Sequence, residues 1–143
     1  MIVTVTLNPS IDRTAPIAGP LRRGQVNRLG SSTEVAAGKG VNISRVLRGA
    51  GIETCAVVPA GAKGRLTLGL NHDDIPHQVV PVAAAVRTNL TITEPDGITT
   101  KINEPGADLS PEELTAVEEA IVEKSSGAQW VVLSGSLPLS LIH

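Results

Sequence analysis

The sequence predicts an α/β protein built on a parallel β-sheet, and three observations support that class. Val and Thr alternate from Ile2 to Leu7, as in an early strand. Apolar residues at helical spacing follow a glycine-containing loop near residue 40, and Glu53 to Pro59 has the composition of a second strand. Strand, loop, helix and strand in this order form a βαβ unit, whose two strands normally run parallel.

The segment between the first strand and the first helix is polar and punctuated by glycine. Asn8-Pro9-Ser10 ends the strand, because proline cannot donate a hydrogen bond to a strand ladder. From residue 11 to 35 we expect small exposed strands around Leu21 to Gly24. Ala36 to Gly40 is predicted to be a loop of small residues.

One face of the first helix is predicted to be apolar and buried. The residues that recur at i, i+3, i+4 and i+7 are Ile43, Val46, Leu47 and Ala50, and Gly51 is expected to close the helix. Farther along, Ala62 to Leu70 gives a weaker helical signal. Gln78 to Val82 is predicted to be another buried strand.

The later part of the chain carries stronger local signals. Arg87 to Glu94 and Ile98 to Asn103 alternate with period two around Pro95-Asp96-Gly97, which predicts a hairpin. Ser110 as N-cap, followed by proline and a glutamate at the third position, predicts a helix that ends near Gly127. Trp130 to Leu133 is continuously apolar, which is typical of a strand buried on both faces.

Composition narrows the possible functions. The 143 residues are 41% hydrophobic and 18% charged with a net charge of −2, which favours one soluble globular domain and gives no sign of a nucleic-acid partner. Trp130 is the only aromatic residue, so base-stacking platforms are excluded. No apolar run approaches the roughly 20 residues that span a bilayer, and no signal peptide pattern is present. We therefore expect a cytoplasmic protein without a membrane partner.

The loop Ala37 to Asn42 is the first candidate binding element. Gly38 and Gly40 let backbone amides approach a ligand, and the amino end of a helix offers unpaired N–H groups to a phosphate or hydroxyl. No Ser or Thr follows Lys39, so this is not a Walker loop. Ile43 stands where a dinucleotide fingerprint has its third glycine, which argues against a Rossmann oxidoreductase. An ordinary tight loop with a solvated lysine is the alternative.

Other polar residues are candidates by position. Asp12 follows the first strand, where a carboxylate could accept hydrogen bonds from sugar hydroxyls, or could be an exposed turn residue. Arg87 and Asn89 share one face of their strand, and this arginine could hold a phosphate or be a surface charge. Lys101 and Asn103 repeat that arrangement across the hairpin.

No metal site is predicted. The three histidines (His72, His77 and His143) share no ligand spacing with each other or with Cys55 and are expected to be solvated loop residues. The lone cysteine excludes an internal disulfide. Asp73-Asp74 resembles a carboxylate pair but lies in a turn-like stretch.

Five segments together resemble the PfkB family of ribokinase-like sugar kinases, in that family's order and across nearly the whole chain. They are TLNPSIDRT (residues 6–14), AGKGVNISRVL (37–47), RTN (87–89), TKINEPG (100–106) and SGSLP (134–138). The resemblance implies a ribokinase-like parallel-sheet core with a small β lid, formed by strands near residues 13–36 and 87–103. It also implies phosphoryl transfer from Mg-ATP to a sugar phosphate: fructose 1-phosphate giving fructose 1,6-bisphosphate, with tagatose 6-phosphate as the alternative substrate.

The resemblance also assigns roles to residues. Asp12 would orient sugar hydroxyls, and Gly38, Lys39, Gly40 and Asn42 would close around the substrate. Arg87 and Ser136 would approach the substrate phosphate or its neighbouring hydroxyls. Asn89, Lys101 and Asn103 would be contacts from the lid, which often pairs between subunits and so implies a homodimer.

Two departures from the family pattern limit what is expected of residues 1–143. Ala37 stands where the family usually has a glycine. The later signature D-T-x-G-A-G-D, which supplies the catalytic base and an anion hole, has no match here. We therefore expect the substrate-binding part of a kinase domain, truncated and catalytically incomplete, without a catalytic base or the ATP- and Mg²⁺-binding half. A non-catalytic sugar-phosphate-binding or subunit-pairing module is the alternative.

Overall fold

The computed structural model describes residues 1–138 and residue 141, and in them the chain forms two four-stranded sheets and three longer helices. The elements are β1 (Ile2–Val5), β2 (Ser10–Pro16), β3 (Thr33–Ala37), α1 (Lys39–Gly49), β4 (Thr54–Ala60), α2 (Arg65–His72), β5 (His77–Pro81), β6 (Arg87–Thr93), β7 (Thr99–Asn103), α3 (Pro111–Ser125) and β8 (Trp130–Leu133). The first sheet, here the parallel sheet, has the order β5-β4-β1-β8 with every strand parallel. The second, here the mixed sheet, has the order β3-β2-β6-β7.

The parallel sheet confirms the predicted βαβ unit and contains the core. Helix α3 packs on one face, where Val117 and Ala120 meet Val3, Val5 and Val57. Helices α1 and α2 cover the opposite face and also reach the mixed sheet. Gly69 of α2 approaches that sheet so closely that an added Cβ would lie 2.9 Å from the Ala36 side chain.

A row of buried hydroxyls joins α1 to the parallel sheet. Thr54 Oγ1 donates to the Ile2 carbonyl at 2.9 Å, which uses its only hydrogen. Ser44 Oγ must therefore donate to Thr54 Oγ1 at 2.9 Å, and Thr4 Oγ1 must donate to Ser44 Oγ at 2.8 Å. Each hydroxyl in the row is satisfied, so burial carries no desolvation penalty from an unpaired group.

The predicted buried face of α1 is wrong. The helix begins at Lys39 and turns Gly40, Val41 and Ser44 toward the sheet, while Val46 is 72% exposed. A Cβ on Gly40 would lie only 2.5 Å from Thr6 Oγ1, so this glycine lets the helix backbone pack directly against β1. That close approach, rather than the longest apolar stripe, determines the rotation of the helix.

The loop before α1 is shorter than predicted. The strands that precede it are β2 and β3, and neither includes residues 21–24, where small strands were predicted. Ala36 and Ala37 belong to β3, which leaves Gly38, with a φ of +131°, as the single residue between strand and helix. Residues 21–24 form a turn and not a strand. Asn27 holds this turn closed, because its side chain accepts from the Arg22 N–H at 2.9 Å and donates to the Arg22 carbonyl at 2.8 Å.

The local signals in the later part of the chain are confirmed. β6 and β7 pair antiparallel across a turn in which Gly97 has a φ of +89°. Ser110 and Glu113 form a reciprocal capping box at the start of α3. The helix ends at Ser125, followed by Gly127 with a φ of +81°. Helix α2 and strand β5 also form close to their predicted positions.

Strand β8 forms where predicted, but it is not buried. It lies at the edge of the parallel sheet, and Trp130 and Leu133 are 69% and 68% exposed. β8 is exposed because the helices lie over the other strands of the sheet: α1 packs over β1 and β4, and α3 packs over β1, β4 and β5. Within residues 1–138 and 141, these helices therefore leave Trp130 and Leu133, which point to opposite faces of β8, open to solvent.

Candidate functional site

The candidate site lies where the two sheets meet, beyond the carboxyl end of β1. Four segments carry the chain between the mixed sheet and the layers around the parallel sheet. Residues 6–9 and 82–86 join strands of the two sheets, while Gly38 and residues 104–110 join the mixed sheet to α1 and α3. In parallel α/β sheets this end of the strands is where ligands bind. The motifs that the sequence analysis selected all lie on or next to these connections.

Asp12 and Asn89 meet on one face of the mixed sheet. They are direct neighbours on the parallel strands β2 and β6, and Asn89 Nδ2 donates to Asp12 Oδ1 at 3.0 Å. Ser10 Oγ donates to the same oxygen at 2.9 Å. Two donors thus orient an exposed carboxylate whose second oxygen, Oδ2, has no hydrogen bond among the described residues. The group is arranged to accept from ligand hydroxyls.

Arg87 is tied to its surroundings by three contacts. Nη2 donates to the Asn8 carbonyl at 3.2 Å and lies 3.4 Å from Ser136 Oγ, while Nη1 donates to the Glu104 carbonyl at 3.2 Å. These distances are at the long end for hydrogen bonds. Its Nε is buried and has no hydrogen-bond partner within the described part of the chain. Such a guanidinium is held in place by weak contacts that an anionic ligand can replace.

Ser136 follows the exposed strand β8 and joins the same group. Its hydroxyl accepts from Asn8 Nδ2 at 3.3 Å. A cleft of about 200 Å³ opens beside it, lined by Leu7, Leu133 and residues 134–137. The structure thus brings Arg87 and Ser136 together, as their assignment to one ligand group requires.

The glycine loop sits at the amino end of α1. Gly38 has a positive φ, and an added Cβ would lie 2.5 Å from Thr6 Cγ2, so a larger residue has no room there. The Thr6 hydroxyl accepts from the Val41 N–H at 3.1 Å and acts as an external cap for the helix. Lys39 is exposed at the first helical position. Asn42 Oδ1 instead accepts from Arg45 Nη1 at 2.8 Å, which commits that oxygen to the protein.

Lys101 and Asn103 lie farther out on the same face. Asn103 is directly opposite Asn89, and Lys101 is opposite Thr91. Residues opposite each other on paired strands point to the same side of the sheet, so both side chains share the face that carries Asp12. Both are exposed.

Sequence reasoning missed two residues of this site. Asn8 is 6% exposed, and its Nδ2 donates to the Pro105 carbonyl at 2.9 Å as well as to Ser136. Gly106, with a φ of +97°, leaves the space that the Asn8 amide occupies, since an added Cβ would overlap Asn8 Oδ1. Both residues lie within the family motifs, but only their spatial pairing reveals a role.

The remaining sequence candidates lie away from the site. Asp73 and Asp74 form ion pairs with Arg45 and Arg48 and hold α1 to the turn after α2. Contrary to the loop prediction, His72 ends α2 and His77 begins β5; His143 lies outside the described residues.

Metal ligands do not cluster in the part of the chain that the structure describes. Residues 1–138 and 141 contain no group of three His, Cys, Asp or Glu that could hold a metal ion. Within those same residues, no helix is long and apolar enough to cross a membrane.

Comparison with known proteins identifies what this arrangement resembles. No protein-family model matches the chain. A 1-phosphofructokinase of Vibrio cholerae is 32% identical over 142 residues, covering 96% of this chain and 44% of the relative. A 1-phosphofructokinase of Xanthomonas campestris is 36% identical over 142 residues, covering 97% of this chain and 44% of the relative. The chain thus spans less than half the length of the curated relatives that it matches.

A solved structure of a phosphofructokinase has the same fold over the part that this chain spans. Phosphofructokinase-2 from Escherichia coli in complex with fructose-6-phosphate matches with a TM-score of 0.88 and 30% identity, over 98% of this chain and 46% of that one. The fold is ribokinase-like. The resemblance to the PfkB sugar kinases is confirmed, and the chain is a relative of their phosphofructokinases over the part that it spans.

Proposed function

We propose that this chain is the sugar-phosphate-binding part of an ATP-dependent sugar-phosphate kinase, with fructose 1-phosphate as substrate and fructose 1,6-bisphosphate as product. Tagatose 6-phosphate is the alternative substrate. Support comes from one observation: the carboxylate of Asp12, the guanidinium of Arg87 and the hydroxyl of Ser136 converge on the junction of the two sheets. That set offers acceptors for sugar hydroxyls and donors for a phosphate.

In the proposed binding mode, the carboxylate binds the sugar hydroxyls and the positively charged groups bind the phosphate. Asp12, oriented by Asn89, accepts hydrogen bonds from ring hydroxyls. Arg87 turns toward the phosphate, with Ser136 beside it, and Lys39 adds a second positive charge from the amino end of α1. Gly38 and Gly40 keep that end open to the ligand, and Asn42 contributes after releasing Arg45. Asn89, Lys101 and Asn103 line the mixed sheet, which serves as the lid.

Mg²⁺ and ATP are expected for the whole family enzyme. Among the described residues, no group of three His, Cys, Asp or Glu could hold a metal ion. The role that we propose for Asp12, Arg87 and Ser136 is to bind and orient the sugar phosphate.

Calorimetric titration of the 143-residue chain tests the binding proposal. Fructose 1-phosphate is expected to bind at least about tenfold more tightly than fructose, because the phosphate gains charge-assisted hydrogen bonds. Arg87→Met should remove that preference, whereas Arg23→Met, on the exposed turn of residues 21–24, should not. Equal affinity for both sugars would refute the proposal. ADP release from Mg-ATP with fructose 1-phosphate, measured in parallel, should remain at the blank if the chain is catalytically incomplete.

The open strand β8 favours a second candidate, a subunit-pairing module. Among the described residues β8 pairs only with β1, and an edge strand with exposed apolar side chains on both faces promotes association. Sedimentation velocity would detect it, and Leu133→Lys should increase the monomer fraction. Val122→Lys is the matched control, since Val122 is 72% exposed on α3.

A homodimer through the lid is the alternative mode of association. Ile102 on β7 is 56% exposed, so the lid offers an apolar side chain to a second copy of the chain. Ile102→Lys should then dissociate the dimer while Leu133→Lys leaves it intact. A monomer in the unmodified chain would exclude both modes.

A further inference from the structure

We propose that Asn8 is a positioning residue that locks the two sheets together and thereby places Arg87 and Ser136 for ligand binding. The proposal rests on the proposed function for its ligand, but its structural part can be tested without one. Asn8 is buried, whereas the groups that it holds face the candidate site. The family resemblance implies no role for Asn8.

Asn8 contacts three separate segments of the junction. Its Nδ2 donates to Pro105 in the connection from β7 to α3, and to Ser136 after β8. Its carbonyl accepts from Arg87 at the start of β6. Asn8 itself lies on the connection from β1 to β2. One side chain and its own backbone therefore join four parts of the chain that approach each other only in the folded protein.

Gly106 supplies the complementary shape. Its missing Cβ is what leaves room for the Asn8 amide, and its positive φ directs the chain past that amide toward α3. The Glu104 carbonyl just before it accepts from Arg87 Nη1. Displacing Asn8 would therefore move two of the three acceptors that hold the guanidinium.

Loss of Asn8 should affect the two parts of the ligand, the phosphate and the sugar, differently. Without the Asn8 amide, the Pro105 carbonyl loses a donor and Ser136 loses one of the two groups within hydrogen-bonding distance. Asp12 and Asn89 keep their own contacts on the face of the mixed sheet. Loss of Asn8 should consequently weaken recognition of the phosphate more than recognition of the sugar hydroxyls.

The test compares Asn8→Leu, which keeps the branched shape of the side chain but removes its amide N–H donors, with Gly106→Ala, which displaces the amide without altering it. Calorimetry measures the affinities for fructose 1-phosphate and for fructose. Both variants should lower the ratio of these affinities about tenfold. Gly97→Ala is the control, because Gly97 has a similar positive φ but nothing within 4 Å of an added Cβ. A proportional loss for both sugars, or no loss, would overturn the proposal.

A second measurement does not depend on the sugar. In ¹H–¹⁵N spectra, the Arg87 Nε and Ser136 amide signals should shift in Asn8→Leu and in Gly106→Ala but not in Gly97→Ala. Unchanged signals in a folded variant would refute the coupling itself. If Asn8→Leu does not fold, the signals of Gly106→Ala decide the question. If the unmodified chain binds no sugar phosphate while these signals do shift, the proposed function fails and the positioning role of Asn8 stands.

Discussion

Asn89 Nδ2 donates to Asp12 Oδ1 at 3.0 Å across 77 positions of sequence, and the two residues are direct neighbours in the register of β2 and β6. The parallel pairing of these strands is what brings them together. It converts two separate motif residues into one oriented carboxylate. Removal of the amide should therefore affect ligand binding more than folding.

Asn89→Ala is expected to weaken fructose 1-phosphate binding about tenfold, because the Asp12 carboxylate loses one of its two orienting donors. Calorimetric titration measures the affinity, and thermal unfolding tests whether the fold is retained. Thr93→Ala, at the far end of the same strand, is the control and should bind normally. An unchanged affinity for Asn89→Ala would show that Asp12 needs no such support.

Gly40→Ala should destabilise the protein by about 1–3 kcal/mol or more, since the added Cβ would lie 2.5 Å from Thr6 Oγ1 and 2.8 Å from the Val5 carbonyl. Urea unfolding measures the free energy. Gly49→Ala, at the end of the same helix, meets nothing within 4 Å and should instead stabilise by roughly 0.5–1 kcal/mol. Opposite signs for the two variants are the expected result; equal effects would contradict the close packing of α1 on β1.

Ser44→Ala should cost about 1–3 kcal/mol, because Thr4 Oγ1 loses its acceptor in a fully buried position. The double replacement of Ser44 by Ala and Thr4 by Val should be less destabilising than the sum of the single changes, since it leaves no orphaned donor on Thr4. Urea unfolding of the four proteins in this cycle measures the coupling. Additive effects would refute a stabilising hydrogen bond between Thr4 and Ser44.

The stability of the fold should decrease at acidic pH partly through Glu113. A hydrogen bond from the Ser110 N–H, and to a lesser degree one from the Ala83 N–H, holds the pKa of this carboxyl below its ordinary value of 4.5. A lowered folded-state pKa stabilises the protein fully above the unfolded value, and that stability is lost as the pH falls through the folded value.

Unfolding free energies at about pH 6 and about pH 3 check this sign. The unmodified chain should lose more stability on acidification than Glu113→Gln does. Glu112→Gln, in the same helical turn but outside the capping box, should behave like the unmodified chain. A steeper loss in Glu113→Gln would contradict the direction of the pKa change.

Local sequence signals predicted the elements whose stability is local. The capping box of Ser110 and Glu113 and the hairpin around Gly97 depend on residues a few positions apart, and both form as expected. The βαβ unit could also be predicted, because its strands and helix alternate in a short stretch. Asp12 and Arg87 could also be selected as candidates, from their positions on or after predicted strands and from the family resemblance.

Burial could not be predicted in the same way. Val46 has the spacing of a core residue, yet Gly40 turns it to solvent by packing against β1. Trp130 lies in a continuous apolar stretch that is typical of a buried strand, yet no helix in the described part of the chain covers the edge where β8 lies. In both cases the missing information is which element lies beside the residue.

By itself, the sequence determined the class of fold, most of its strands and helices, and the family resemblance carried by its motifs. Only the tertiary structure decided that Asn8, Arg87, Ser136 and Pro105 form one group at the junction of the sheets. The physical reason is sequence separation. Periodicity and capping report interactions within a few residues, whereas the contacts of Asn8 span 79 to 128 positions and exist only when both sheets are assembled.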